Sequence, residues 1–368
     1  MKDYIKKLYD NKYFPYFLMG GVIAIICFFI IIYFTFFYTK KVSYSNYRSV
    51  IKNAAVNYCN DNCNTLFDNN DSVVVPVETL MNKGYMSSFQ KMYDDSDISC
   101  DGKVTINKNY NNYNYIVNVD CGDAYKDKTI NDYFSTNVHL VETGDGLYSF
   151  GNYKVYRGEY VNNYVLFDKT LFRIVRINSD NSLTLVLDDY SKNINGVWDD
   201  RYNSTYYNNF GFNDYLVSRA KEFLHSIMTI EDYKGAFKKS INYDYCIGSK
   251  SSGSTKNDYS EVCSKTVSDY IGLLTVDDII ISSLDKNCNS VENSMACQNY
   301  NYISKYDRNF WLMTSDNENT KNVYRYDIDE IEAVKCSSRS SFRFILTISG
   351  DEIYKSGDGS KEKPFVLK

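Results

Sequence analysis

The hydrophobic pattern begins with one unbroken apolar run and then turns into short alternating stretches. Phe17 to Tyr38 reads FLMGGVIAIICFFIIIYFTFFY, twenty-two residues without a charge. At about 1.5 Å of rise per residue, this run spans the roughly 30 Å hydrocarbon core of a bilayer. Tyr13, Phe14 and Tyr16 stand at one border and Tyr33, Phe36, Phe37 and Tyr38 at the other, where interfacial aromatics concentrate. A transmembrane helix over 14–38 is therefore expected, behind a cytoplasmic tail over 1–13. A cleaved signal peptide is the alternative, but the run exceeds a signal h-region and no small-x-small site follows it.

Beyond the run, Tyr47, Val50, Ile51, Ala54 and Tyr58 recur at helical spacing, which predicts a stalk helix to about Cys63. Val73 to Pro76 reads as extended, and Val77 to Asn82 as a helical turn stopped by Gly84. Val104 and Ile106 alternate on one arm of a hairpin, and Tyr115, Val117 and Val119 on the other. Lys126 to Thr143 is polar and aperiodic, so it reads as a tether. From Gly144 the texture is short strands: Tyr153–Gly158, Asn163–Phe167, and a hairpin of Leu171–Ile177 and Leu183–Asp189 around NSDNS. Arg173 and Arg176 fall on opposite faces of its first arm, and both need acceptors. Phe212 to Met228 has a helical stripe of Tyr215, Leu216, Ala220, Phe223, Leu224 and Met228. Thr275 caps a helix with Asp277 and Asp278 in its first turn, as the dipole prefers. Phe310–Thr314, Val323–Tyr326 and Phe342–Ile348 close the pattern as strands. The predicted class is α+β: a single N-terminal transmembrane helix continues into a stalk with a small hairpin module (39–125). A linker (126–143) and a mixed α+β domain (144–368) follow.

Composition narrows the function. Hydrophobic content of 44% and aromatic content of 16% exclude a disordered chain. A net charge of −5 with mixed signs leaves no basic footprint for nucleic acid. The two histidines, His139 and His225, leave little room for His-based catalysis or multi-His metal sites, and no catalytic residue is assigned. Of the ten cysteines, nine follow the membrane run. Paired cysteines persist in an oxidising exterior, so the expected orientation at the plasma membrane is N-terminus cytoplasmic, C-terminal part extracellular. Cys100 and Cys121 bracket the first hairpin and are expected to bridge. Cys59 with Cys63, Cys246 with Cys263 and Cys288 with Cys297 are the other candidate pairs. Other connectivities stay open, and Cys336 is left over.

Residues 17 to about 125 resemble type IV pilin-like and pseudopilin-like proteins of Gram-positive bacteria. The resemblance rests on the apolar helix running into a stalk, Ala54-Ala55 with Tyr58, the Thr79-Leu80-Met81 to Gly84-Tyr85 segment, and the Cys100 to Cys121 hairpin. Pilins carry a Glu five residues into the apolar run; here Gly21 is followed by Val22, Ile23, Ala24, Ile25 and Ile26. The departure argues for a permanent anchor over leader processing and filament assembly. Residues 144 to 368 resemble a family of uncharacterised Firmicutes surface proteins. The motifs are GDGLY at Gly144, NNYVLF at Asn162, LFRIVRINSDNS at Leu171, GLLTVDDI at Gly272, WLMT at Trp311, SFRFIL at Ser341 and GDGSKEKPFVL at Gly357. Phe172, Asn181 and Phe344 stand where that family has Trp, Gly and Pro. The resemblance implies a C-type-lectin-like fold, shared with the sulfatase-modifying enzymes, in which Trp311 and Arg343 are structural.

Three sharper chemistries were weighed. Formylglycine generation needs paired reactive thiols, and only Cys336 lies near the C-terminal end. A sortase-like site would set Cys336 beside Arg343, but a thiol nucleophile needs a His base, and none occurs after His225. Asp188, Asp189, Asp199 and Asp200, with Asn193, Asn195 and Asn203, surround Trp198 with hard oxygen donors that suit Ca²⁺. Because Asp and Asn are common in loops, no metal or other cofactor is assigned. Trp198, Asp199, Asp200, Tyr202, Tyr206 and Tyr207 make a candidate exposed binding surface, since Tyr supplies apolar area with a polar tip. Asn299–Tyr302 is a second Tyr/Asn loop of that kind. The expected function is display, at the lipid bilayer, of a non-catalytic domain that binds a protein or glycan. The alternatives are a pilus-like subunit and a surface thiol enzyme using Cys336.

Overall fold

The computed structural model describes residues 19, 24, 28, 47–67, 71–93, 96–109, 112–122, 125–188, 194–201, 214–247, 249–250, 263 and 265–368. The Phe17–Tyr38 run lies almost wholly outside them. Among the described residues no helix is long and apolar enough to cross a membrane. Two compact units emerge, one of residues 1–47 and 87–99, the other of 48–86 and 100–368. Residues 87–99, expected within the hairpin module, thus fall outside its unit.

In the first unit Phe89–Tyr93 forms a short helix. The Phe89 and Tyr93 rings stack at 6.4 Å, and Gln90 Nε2 donates to Ile98 O at 2.9 Å.

The second unit is mixed α+β and mostly sheet. Its stalk helix α1 (Tyr47–Leu66, whose first residue belongs to the first unit) buries Ile51, Ala54, Ala55 and Tyr58, the face read from spacing. Strand β1 (Ser72–Pro76) leads into α2 (Val77–Asn82). Gly84 lies in the left-handed region at φ 80°, which only Gly adopts without cost, and it ends that helix. Strands β2 (Asp101–Asn109) and β3 (Asn112–Asp120) are the expected hairpin, with Val104 opposite Val117. β1 pairs on the other side of β2.

The tether is not a tether. Residues 130–137 form helix α3 (Ile130–Asn137), with a capping box between Thr129 and Asp132. Its Ile130 and Phe134 enter the main core, where Phe134 meets Phe365 edge-on at 5.5 Å. Two apolar residues one turn apart suffice to dock one short helix, though they are too few to show as a period.

The remaining strands are β4 (Gly146–Phe150), β5 (Tyr153–Arg157), β6 (Tyr164–Phe167), β7 (Thr170–Ile177), β8 (Leu183–Leu187), β9 (Asn195–Val197), β10 (Tyr243–Cys246), β11 (Ser249–Lys250), β12 (Thr266–Asp269), β13 (Gly272–Leu273), β14 (Phe310–Asp316), β15 (Asn322–Tyr326), β16 (Ile331–Lys335), β17 (Arg339–Ser341), β18 (Phe344–Ile348), β19 (Tyr354–Ser356) and β20 (Phe365–Leu367). A nine-stranded sheet runs β13-β18-β8-β7-β6-β20-β19, with β5 on β7 and β4 on β5. A six-stranded sheet runs β16-β15-β14-β17-β9, with β11 beside β14. β10 and β12 make a separate antiparallel ribbon. The strand read as Phe342–Ile348 begins at Phe344 as β18 in the nine-stranded sheet; β17 precedes it in the six-stranded sheet, and Arg343 lies between them. Asn181, at φ 63°, holds the β7–β8 turn in the left-handed region, a conformation Asn tolerates. The helix read over Phe212–Met228 is shorter, α4 (Arg219–Ile227), because Ser218 caps it by accepting from Lys221 N. α5 (Lys234–Phe237) follows. α6 (Val276–Ser282) begins at Thr275 with a capping box to Asp278.

The hairpin module and the large domain share this unit, and Glu352 joins them. It is 1% exposed and accepts from Asn114 Nδ2 at 3.0 Å and from Lys239 Nζ at 2.5 Å. Tyr270 Oη donates to Lys108 O at 2.7 Å nearby. Phe134→Ala should cost about 3–5 kcal/mol by cavity formation. Urea unfolding followed by fluorescence of the buried Trp198 and Trp311 checks this; a loss under about 0.5 kcal/mol, as for an exposed tether, would refute the docked helix.

Candidate functional site

A cleft of about 620 Å³ opens where the β10–β12 ribbon faces β7 and the start of α6. Its wall residues span the chain from Asp71 to Ile345, so no sequence motif marks it. The half-buried Tyr153 and Tyr243 supply aromatic surface, the buried Tyr245 lies in the core beside them, and the Cys246–Cys263 bridge lies at the wall. Tyr243 and Tyr245 contact edge-to-face at 5.4 Å. Burial raises the Tyr243 hydroxyl above its ordinary value, opposed by the nearby Arg176. Tyr245 is held higher still by burial and donates to Thr347 Oγ1 at 3.2 Å.

Charge in the cleft is lopsided. Asp71, Asp180, Asp244, Asp277 and Asp278 line it, against Arg176 as the one cation among its described lining residues. Arg176 is committed: Nη1 donates to Asp278 Oδ1 at 2.7 Å and Nε to Asn178 Oδ1 at 2.9 Å. Asp278 also accepts from Thr275 N at 2.8 Å, so the α6 cap and the β7 arginine are fixed together. Asp71 accepts from Asn242 Nδ2, Asp244 from Ser268 Oγ, and Asp180 from Ser182 N at 2.9 Å and Oγ at 2.6 Å.

The surface expected around Trp198 is corrected. Trp198 is fully buried, 6.1 Å from the Trp311 ring, and its Nε1 has no acceptor among the described residues. Trp311 is equally buried and donates Nε1 to Gly196 O at 3.0 Å. Asp199 is buried too, its carboxylate engaged by Arg201 Nε at 3.2 Å and Nη2 at 2.9 Å. Asp200 is solvent-facing and pairs with Arg219 at 2.8 Å. Tyr202, Tyr206 and Tyr207 lie outside the described residues. Of the second loop, Tyr300 is exposed, but Asn301 and Tyr302 are core. The chain there is held by Asn301 Nδ2 bonds to Ile279 O and Cys297 O, both 3.0 Å.

Among the described residues, the oxygen donors considered for Ca²⁺ turn to different partners. Asp188 turns to Arg343 Nη2 at 3.2 Å, whereas Asp199 turns to Arg201; Asp189, Asn193 and Asn203 lie outside the described residues. No group of three or more His, Cys, Asp or Glu able to hold a metal occurs among the described residues.

The bridges are Cys59–Cys63, Cys100–Cys121, Cys246–Cys263 and Cys288–Cys297. Among the described residues Cys336 is the free thiol, and it is 2% exposed. Burial, with Asp199 adding to it, pushes that thiol up to about 12. His225 is occupied with Asp269 at 2.7 Å. Arg343 is fully buried and donates to Leu187 O, Ile303 O and Asp188, at 2.9, 2.7 and 3.2 Å.

No family model matches the chain, and neither a curated protein nor a solved structure matches it.

Two outcomes follow from these burials. In a Cys27→Ser background, native protein at pH 8 should leave Cys336 unmodified by an aromatic disulfide reagent, and urea should release one reactive thiol; labelling of the native state would refute a sealed thiol. Burial also raises Tyr156, Tyr245 and Tyr302, and lifts Tyr326 to about 12. Unfolded tyrosines ionise near about 10, so above that pH the folded state binds more protons and stability falls as pH rises. The urea midpoint should drop between about pH 10 and 12, and Tyr245→Phe should flatten that slope.

Proposed function

We propose that the chain is a single-pass bacterial surface protein that displays a non-catalytic, C-type-lectin-like domain. The cleft beside the Cys246–Cys263 bridge is its ligand site, and the ligand is a glycan. The observation that carries this reading is the cleft itself: about 620 Å³, concave, with the half-buried Tyr153 and Tyr243 and several carboxylates in its wall. Its size suits a small ligand or one or two sugar rings. Tyrosine faces pack against the apolar face of a pyranose, and carboxylates accept from its hydroxyls.

The anchor rests on the uncharged Phe17–Tyr38 run and the exterior location on the four bridges. Support for a non-catalytic role comes from Cys336, the free thiol among the described residues, which is buried, protonated and far in sequence from either histidine. The test is a panel of neutral, acidic and basic oligosaccharides presented to the full-length chain in nanodiscs. At least one class should bind, and Tyr243→Ala should weaken it by about tenfold, the loss of one aromatic contact worth about 1.4 kcal/mol. Absence of binding across the panel, or a Tyr243→Ala variant that binds unchanged, refutes the reading.

A further inference from the structure

Three reactive groups meet where the hairpin module docks on the large domain. Glu352 is 1% exposed. Its Oε1 accepts from Asn114 Nδ2 at 3.0 Å, and its Oε2 accepts from Lys239 Nζ at 2.5 Å. A carboxamide, an amine and a carboxylate are the parts of an amide exchange: electrophile, nucleophile and proton carrier. Because one carboxylate holds both reactants, the amine and the amide stand a carboxylate's width apart. The flexible lysine stem can supply the remaining movement, to a near-attack separation of about 3–3.5 Å. Lys239 Nζ also donates to Lys368 O at 2.6 Å, a second tie on its position. The Glu352 side chain is 2% exposed and that of Lys239 19%, so the amine is at hand while water is largely kept away.

A fourth group stands beside them. Asn107 lies directly opposite Asn114 in the β2–β3 register, and opposite residues of an antiparallel pair share a face. Asn107 is 2% exposed, and its Oδ1 accepts from Ser72 Oγ at 2.7 Å. Its Nδ2 is buried without an acceptor among the described residues. Such a donor is costly to leave unmet. Next to a carbonyl that gains negative charge during attack, it has an acceptor to meet.

We propose that Lys239 and Asn114 join in an intramolecular isopeptide bond. Glu352 takes a proton from the Lys239 ammonium, and the Nζ lone pair attacks Asn114 Cγ while the carbonyl electrons move onto Oδ1. Glu352 then passes its proton to Nδ2 and takes one from Nζ. The Cγ–Nδ2 bond breaks, the carbonyl reforms, and ammonia leaves, carrying the last proton off as ammonium and restoring the carboxylate. The exchange is redox-neutral and uses these side chains alone. The bond is independent of what the cleft binds. Until it forms, docking of the module is an equilibrium held by hydrogen bonds; once formed, it ties β3 permanently to the segment after α5.

The test is mass spectrometry of the folded full-length chain after reduction and alkylation of its cysteines. Cleavage after Lys and Arg should release residues 109–126 and 239–250 as one joined species, lighter than the two together by one ammonia. Lys239→Arg keeps a cation for Glu352 without the amine nucleophile, and Glu352→Gln keeps the shape without the proton carrier. Both variants should show the full intact mass, and both should run more slowly than the wild type in a reducing denaturing gel. The wild-type measurement needs no variant to fold. Recovery of the two wild-type segments as separate peptides overturns the proposal. So does an ammonia deficit confined to a single peptide, the mark of a succinimide, or a joined species that persists in Lys239→Arg.

Discussion

One guanidinium fixes the assembly of the two sheets. Ser341 still pairs with Phe310 and Asn195 in the six-stranded sheet, and Phe344 already pairs with Leu273 in the nine-stranded one. Arg343 sits between, wholly buried. Its donors reach Leu187 O at the end of β8, Ile303 O and Asp188, and its face lies 4.3 Å from the Tyr306 ring and 5.4 Å from that of Phe310. Desolvating such a charge costs several kcal/mol unless its hydrogen bonds are made. Those acceptors come from separate segments, so the cost is offset only when all of them arrive together. Burial raises the Asp188 carboxyl despite the pull of Arg343 and Arg173. The pair therefore contributes less to net stability than to fixing where the strands cross.

The same device recurs and gives the tyrosine excess a physical meaning. Arg173 lies between the Tyr164 and Tyr302 rings, at 4.2 and 4.5 Å, with Nε donating to Asn163 Oδ1 at 2.8 Å. Arg157 faces Tyr148 at 4.8 Å. Flat tyrosines cover buried guanidinium planes without removing their donors, which aliphatic residues cannot do. Many tyrosines therefore belong to the interior. The Tyr302 ring, read from its Asn-rich neighbours as loop surface, is one of these lids.

Where local chemistry decides the structure, the sequence was readable. The alternation of Leu171–Ile177, the Thr275 cap with Asp278, the Gly84 stop and the four Cys pairs each follow from residues close in the chain. Both β7 arginines needed acceptors, and both have them. The misreadings share a cause. Trp198 stands between Val197 and two aspartates, and local polarity said surface. Its burial depends on Trp311, more than a hundred positions on, and on Arg201 neutralising Asp199. Helix α3 fully buries only Ile130 and Phe134, with Tyr133 half-buried beside them, too sparse for periodicity, though Thr129 and Asp132 carried a capping signal. The cleft was illegible because its walls are gathered from six separate stretches.

The cleft also changes what the hairpin module is for. A spacer would need only length and stiffness. This module instead presents Asp71 beside Asn242 and is locked by Glu352, Lys239 and Asn114, with the Lys103–Asp351 pair at 3.4 Å on the rim. The Lys103 pair is exposed and worth little. Glu352 is buried, and leaving it unpaired would cost several kcal/mol, so docking of the module is the energetically defended arrangement. A ligand that touches Asp71 and the ribbon at once binds only the docked form, and by linkage it stabilises docking by the same free energy that docking lends to binding. On the proposed reading, ligand binding and the rigidity of that module would be one equilibrium.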